Sequence, residues 1–414
     1  MPPAIEDVPA SVHPLAMFRN QVAFVLMALY VFMLPLGNLA RFSEEESAFG
    51  FTTVLLPLIL LLMLPSTILP LVRSKVFVIL ALLIGWMIVA SMFAMEAGVA
   101  ARDSASLVLY LLFAASVRYS VHKPWRMVLL IAVYCLGAFV SSFLTLIDFA
   151  GIVDVPRVNE VTASTYTAGI GNVLQVSGAF PRRSAMAEYY GPIIAMSALM
   201  ALSSMRLPLL VRLMFVATAI ASAISLALTH NRAGVMAAGI IVVAIVVVAS
   251  TSIGKLLKAM AVIAVVAVTV SVVITQAFPE VWAAYKVLLG IEDTAYGGAV
   301  KESDELRVQL FWHAVHSLAR NPVGNGYGLL TGLTWDEGWS EFDSHSNLTQ
   351  VIWAGGLVGI GCLAALGWHI GRRSWRLLRR AKVDDPWRPV GIVLLGGVGA
   401  VVLVGLTHTT ISNG

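Results

Sequence analysis

Eleven apolar stretches separated by polar connections run the length of the chain, at roughly 18–40, 51–72, 76–95, 101–117, 127–149, 186–205, 210–229, 233–250, 257–278, 346–370 and 389–411. Most hold about the 20 apolar residues a helix needs to cross the hydrocarbon core. Two polar segments, 150–185 and 279–345, are too long to be turns. Loops of that length in a compact protein usually carry function. Within the second, residues 302–320 repeat with helical period. Leu310, Phe311, Ala314, Val315 and Leu318 fall on one side with Arg307, while Glu305, Gln309, His313, His316 and Arg320 fall on the other. The pattern predicts an all-α, polytopic membrane helix bundle of about 11–12 transmembrane helices. It would form one integral membrane domain over 1–414, with a large helical loop standing out of the membrane. Pro35, Pro57, Pro65 and Pro192 fall inside spans and predict kinks.

Composition agrees with this reading. Of 414 residues, 59% are apolar and 12% charged, and the mean hydropathy is +0.87. Charge then orients the bundle. With the N-terminus inside, the inner segments hold Arg19, Arg73, Lys75, Arg118, Lys123, Arg126, Arg206, Arg212, Lys255 and Lys258. The last inner loop, 371–388, adds Arg372, Arg373, Arg376, Arg379, Arg380, Lys382 and Arg388. That is seventeen of the 27 Lys and Arg, as the positive-inside rule expects. The stretch at 101–117 is the weakest span, with Arg102 and Asp103 at its start. It is needed, because without it the basic connections at 73–75 and 118–126 would face opposite sides. The basicity reflects orientation and contact with membrane lipids, not nucleic acid. An odd number of spans puts the C-terminus outside, and the first span is expected to serve as an uncleaved signal anchor. Cys135 and Cys362 both lie in spans and read as small apolar fillers.

The remaining cations lie on the outer side, against the charge rule, and four need explaining. Arg307 shares the apolar face of its helix; a guanidinium keeps its charge, so it must meet an anion or a dense set of acceptors. An ion pair with Asp304 or Glu305 is the plain alternative. Arg232 sits in Thr229-His230-Asn231-Arg232-Ala233-Gly234 at the outer start of a span, where the helix dipole disfavours a cation. Asn231 suits the cap of that helix, whose free N–H groups would also attract an anion. Arg182 and Arg183 follow Gly178-Ala179-Phe180-Pro181 and either snorkel to headgroups or clamp a phosphate. His345, in Asp343-Ser344-His345-Ser346-Asn347-Leu348, ends the large loop and is placed to act as a base or a hydrogen-bond donor. His230, Asn231 and Asn347 join Arg182 and Arg183 as candidate substrate contacts.

Two other motifs carry less. His313 and His316 form an H-x-x-H pair that reads as solvated, without the carboxylate or cysteine partners of a metal site. Gly324-Asn325-Gly326-Tyr327-Gly328 follows no strand and reads as a flexible turn rather than a nucleotide loop. No D-x-D motif is present, so no metal-held sugar nucleotide is expected, and no cofactor. Several outer arginines and one histidine suit holding the diphosphate of a lipid carrier while a sugar passes to an acceptor hydroxyl.

At these residues the chain resembles the O-antigen ligase and O-antigen polymerase superfamily of bacterial envelope glycosyltransferases. The matching stretches are Gly178–Arg183, Thr229–Gly234, Leu306–Trp312 leading into Asn321–Gly328, and Ser344–Leu348 with Gly355-Gly356 after it. Together they cover roughly residues 160 to 370; the first five spans match in hydropathy alone. The resemblance implies a metal-independent transferase of the bacterial inner membrane. It would move a glycan from undecaprenyl pyrophosphate to an acceptor sugar on the periplasmic face, with 150–185 and 279–345 as periplasmic loops. It also implies that Arg232, Arg307 and His345 are the required arginines and histidine, and that Arg182 or Arg183 is the arginine of the earlier loop. The family usually has twelve spans with both ends inside, where hydropathy here counts eleven. The acceptor would be lipid A-core for a ligase, which the arginine–arginine–histidine spacing favours, or another lipid-linked repeat unit for a polymerase. A lipid-linked glycan transporter is the third reading. Transporters usually carry internal repeats and charges near the midplane, and neither is evident here.

Overall fold

In hydrocarbon no water is present to satisfy backbone groups, so long apolar runs close their hydrogen bonds internally as helices. The computed structural model describes residues 14–40, 50–92, 97–156, 158, 163–167, 171–175, 178–180, 183–203, 205–229, 232–250, 252–288, 295–326, 330–335, 338–342, 346–380, 385 and 387–405. In chain order the helices are α1 (Pro14–Met33, continued by a 3-10 segment Leu34–Ala40), α2 (Phe51–Arg73), α3 (Lys75–Ser91), α4 (Ala97–Ser120), α5 (Pro124–Phe149), α6 (Arg183–Leu202) and α7 (Leu209–Leu228). They continue with α8 (Arg232–Ala249), α9 (Ile253–Ala277), α10 (Pro279–Leu288), α11 (Ala295–Arg320), α12 (Asn347–Arg380) and α13 (Trp387–Gly405).

Among the described residues, five helical segments are long and apolar enough to cross a membrane: Met17–Gly37, Pro124–Phe149, Leu209–Leu228, Ile253–Ala277 and Leu348–Leu378. Shorter apolar helices lie at Phe51–Met63, Lys75–Ser91, Leu107–Ser120, Tyr189–Leu202, Met236–Val248 and Trp387–Leu403. Among the described residues these helices occupy the eleven places that hydropathy predicts. The chain is a multi-pass membrane protein with an all-α bundle.

Three apolar clusters organise the spans. Cys135, Met200, Phe215, Ile245 and Val393 join α5, α6, α7, α8 and α13. Met27, Ile59, Met63 and Leu130 join α1, α2 and α5, with Phe113 of α4 against them. Leu83 and Met87 of α3 meet Val351, Ala354 and Cys362 of α12. Both cysteines are buried and free, as the filler reading expects.

Hydroxyls stitch α5, α6 and α7 together inside the first cluster's neighbourhood. Ser142 and Ser222 share a hydrogen bond of 3.1 Å, the Tyr190 hydroxyl donates to Ser141 Oγ at 3.0 Å, and Ser197 donates to Cys135 Sγ at 3.2 Å. Small polar residues of this kind let helices approach closely where no hydrophobic effect drives them together.

Two antiparallel hairpins were not foreseen from the sequence: β1 (Ala163–Thr167) with β2 (Gly171–Gln175), and β3 (Leu330–Trp335) with β4 (Gly338–Phe342). Each sits in one of the two long loops. Strands of five or six residues give too short a periodic signal to separate from loop. The connection expected as the last inner loop also differs from expectation. Helix α12 runs to Arg380, so most of the basic segment at 371–388 is helical rather than loop. Arg372, Arg373 and Arg376 are exposed on it. At the same end Arg126 donates to Ser120 O at 2.9 Å and lies 4.9 Å over the Phe24 ring, tying α5 to α4 and α1.

Candidate functional site

The helices alternate in direction, so α6, α8 and α12 all begin at the end of the bundle that carries the two long loops. Leu228 and Ala227 of α7, Ile274 of α9 and Val281 of α10 pack together there with Leu146 and Phe149 of α5. Helix α6 packs on α8, α8 touches α12, and α11 lies along α12. Arg183, Arg232 and Asn347 are the first residues of α6, α8 and α12. The side chains of these three residues and of Arg307 lie outside the described residues, as do Arg182, His230, Asn231 and His345 altogether.

Around these positions the local construction is well defined. Before α6, the turn Gly178–Phe180 is buried, and Phe180 stacks on Tyr189 with ring centroids 5.1 Å apart. The turn packs against the break in the 3-10 segment at Gly37, where the backbone turns to φ 49°. An aromatic contact therefore links the turn to α6. Before α12, the Ser346 hydroxyl accepts from Thr349 N at 3.4 Å, a side-chain cap on the first turn. His345 is the residue just before that cap.

Helix α11 meets the expectation from its wheel. Leu310 and Ala314 are fully buried against Ile352 and Trp353 of α12, with Phe311, Val315 and Leu318 packed beside them. Gln309, His316 and Arg320 are exposed on the other side. His313 departs from its solvated reading, because its ring stacks on Trp353 at 5.5 Å and 25°. The wheel groups it with the polar residues, but at 100° per residue it lies only about 60° from the buried Leu310, so the Trp353 ring that covers Leu310 also reaches it.

The larger correction concerns the glycine-rich segment after α11. Residues 321–326 form a braced turn, not a flexible one, while Tyr327 and Gly328 of the motif lie outside the described residues. Asn321 Nδ2 donates to Gly324 O at 2.8 Å and to Asn325 Oδ1 at 3.1 Å. This turn is seated in a break of α12 at Gly356, where φ is 55° and ψ is −145°. A break inside a span exposes backbone groups that lipid cannot satisfy, at several kcal/mol each. The turn supplies the partners: Asn325 N donates to Trp353 O at 2.9 Å, Gly326 N to Ala354 O at 3.3 Å, and Leu357 N to Pro322 O at 3.0 Å. Gly324 has φ 104°, and a Cβ there would run into Ala354 O, while one at Gly356 would run into Pro322 O. The two glycines interlock backbone to backbone, and neither position admits a side chain.

One more partner comes from far away in sequence. Trp86 of α3 donates its Nε1–H to Val323 O at 3.0 Å and to Gly355 O at 3.1 Å, one oxygen from each side of the interlock. Nothing in the sequence singles out Trp86, which shares its apolar run with Phe77 and Phe93. Asn321 and Asn325 lie in a segment that composition marks only as a turn. No protein-family model matches the chain, and neither does any curated protein or any solved structure.

Proposed function

We propose that this protein is a metal-independent glycosyltransferase that moves a glycan from a lipid-diphosphate carrier to an acceptor sugar. In this reading it works as an O-antigen ligase, taking undecaprenyl pyrophosphate as donor and lipid A-core as acceptor on the periplasmic face of the inner membrane. The observation that carries it is the gathering of three helix starts, bearing Arg183, Arg232 and Asn347, at one end of the bundle. The positive end of the helix dipole favours an anion at each start. Helix α11, which carries Arg307, packs along α12 beside them. Arginines there would grip phosphate oxygens in pairs and stabilise charge that builds on the departing pyrophosphate. His345, just before the cap of α12, would take the proton of the acceptor hydroxyl.

Deleting the gene and examining the lipopolysaccharide tests this reading. Loss of all O-antigen from lipid A-core supports the ligase, a single retained repeat identifies a polymerase, and unchanged lipopolysaccharide overturns both.

Two further outcomes are expected with purified protein and lipid-linked donor. Arg307→Lys should fall to within about tenfold of Arg307→Ala, because an ammonium cannot copy the planar fork of the guanidinium. The Ala variant itself should lose about 10²–10³-fold, the usual cost of removing one donor aimed at developing negative charge. Near-normal transfer by the Lys variant would reduce Arg307 to a generic cation. Transfer should also persist in EDTA, and activity that vanishes there and returns with magnesium or manganese would contradict metal independence.

A further inference from the structure

We infer that Trp86 is a positioning residue: its indole N–H clasps the turn that follows α11 to the broken helix α12 and so sets α11 relative to the start of α12. The consequence for transfer rests on the function proposed above; the clasp itself rests on geometry alone.

A buried or half-buried indole N–H needs an acceptor, and Trp86 has two, at 3.0 and 3.1 Å. They belong to different segments. Val323 O lies in the turn that closes α11, and Gly355 O lies in α12 one residue before the break. A donor shared between them holds the two segments in one register. Gly355 is the residue directly before the positive-φ Gly356, so the indole reaches α12 at the break itself. The α3 helix is held to α12 independently, through Leu83 and Met87 against Val351 and Ala354. The clasp is therefore mounted on a firm element. Arg307 lies on the helix that ends in this turn, and His345 lies just before the helix that the turn enters. A change in register at the clasp moves one relative to the other.

The test uses full-length protein in lipid nanodiscs and two replacements. Trp86→Phe keeps an apolar ring and removes the donor. Site-specific incorporation of the benzothiophene analogue of tryptophan at position 86 keeps the shape and replaces N–H by sulfur, and it serves if the Phe variant does not accumulate. Hydrogen exchange read by mass spectrometry should quicken at the Asn325, Gly326 and Leu357 amides, which bridge turn and break. Exchange in Ser141–Thr145 of α5 should not change. Unchanged exchange at the bridging amides in both replacements overturns the clasp. For the positioning role, kcat is expected to fall by about 10–10²-fold, as small misplacements of reacting groups do, with donor KM and the thermal midpoint close to those of the unaltered protein. A loosened turn with unaltered kcat overturns that role. If the unaltered protein transfers no glycan, the functional reading fails, while the exchange comparison still decides the clasp.

Discussion

His345→Ala is expected to cut glycan transfer by about 10²–10⁴-fold, the range that general-base help supplies, while leaving donor-lipid binding in place. A sugar hydroxyl is a weak nucleophile, and a neutral imidazole within hydrogen-bond reach removes its proton as the new bond forms. The residue is the last before the capped start of α12, where Ser346 O also accepts from Gln350 N at 2.9 Å. A base needs close positioning, because a drift of about an ångström is costly. The base reading also fixes a sign for pH. Only the neutral imidazole accepts a proton, so transfer should fall on the acid side as the ring becomes charged, and the Ala variant should lose that limb. A ligand role makes the opposite forecast, since an imidazolium holds pyrophosphate better than an imidazole does. Donor binding and the pH–rate profile, measured on the same pair of proteins, separate the two. Weakened donor binding together with a flat acid limb in the unaltered protein would defeat the base assignment.

Gly356→Ala should be the most damaging single-methyl change in α12. A residue other than glycine held at positive φ costs about 1–3 kcal/mol, and Gly356 has φ 55°. The added Cβ also meets Pro322 O and, at 2.6 Å, Gly324 N, both backbone atoms that cannot swing aside. Forcing such contacts typically costs about 1–3 kcal/mol more. Gly361 lies five residues further along the same helix with nothing within 4 Å of a built Cβ. Gly361→Ala should therefore be neutral or stabilising, since alanine is the better helix former by about 1 kcal/mol. Thermal unfolding of both variants in the same detergent decides it. Equal midpoints would mean that the turn does not sit in the break.

What the sequence offers as a candidate site depends on how local its signals are. Arg232 stood out because it opposes rules that operate within a few residues, the helix dipole and the charge bias of short loops. The face of α11 was readable for the same reason: Leu310, Ala314 and Leu318 recur at helical spacing, and they are the residues packed on α12. His313 was misjudged as solvated because a wheel assigns faces to one helix and knows nothing of where Trp353 arrives. Trp86 could not be found at all. Its meaning lies in two carbonyls that are 237 and 269 residues away.

By itself the sequence determined the membrane bundle, its eleven apolar helices and the alternation that puts the long loops at one end. Those features follow from transfer energies summed over about 20 residues and from the bias of basic side chains, and neither depends on a partner elsewhere in the chain. Only the tertiary structure decided that Asn321–Gly326 is braced by hydrogen bonds and that α12 is broken where the turn enters. A Gly-Gly pair inside an apolar run is compatible with a continuous helix or a break. The break is stable here because Asn325, Gly326, Pro322 and Trp86 satisfy the backbone groups it exposes. Whether those groups find partners is a property of the folded arrangement, since none of the partners is a neighbour in sequence.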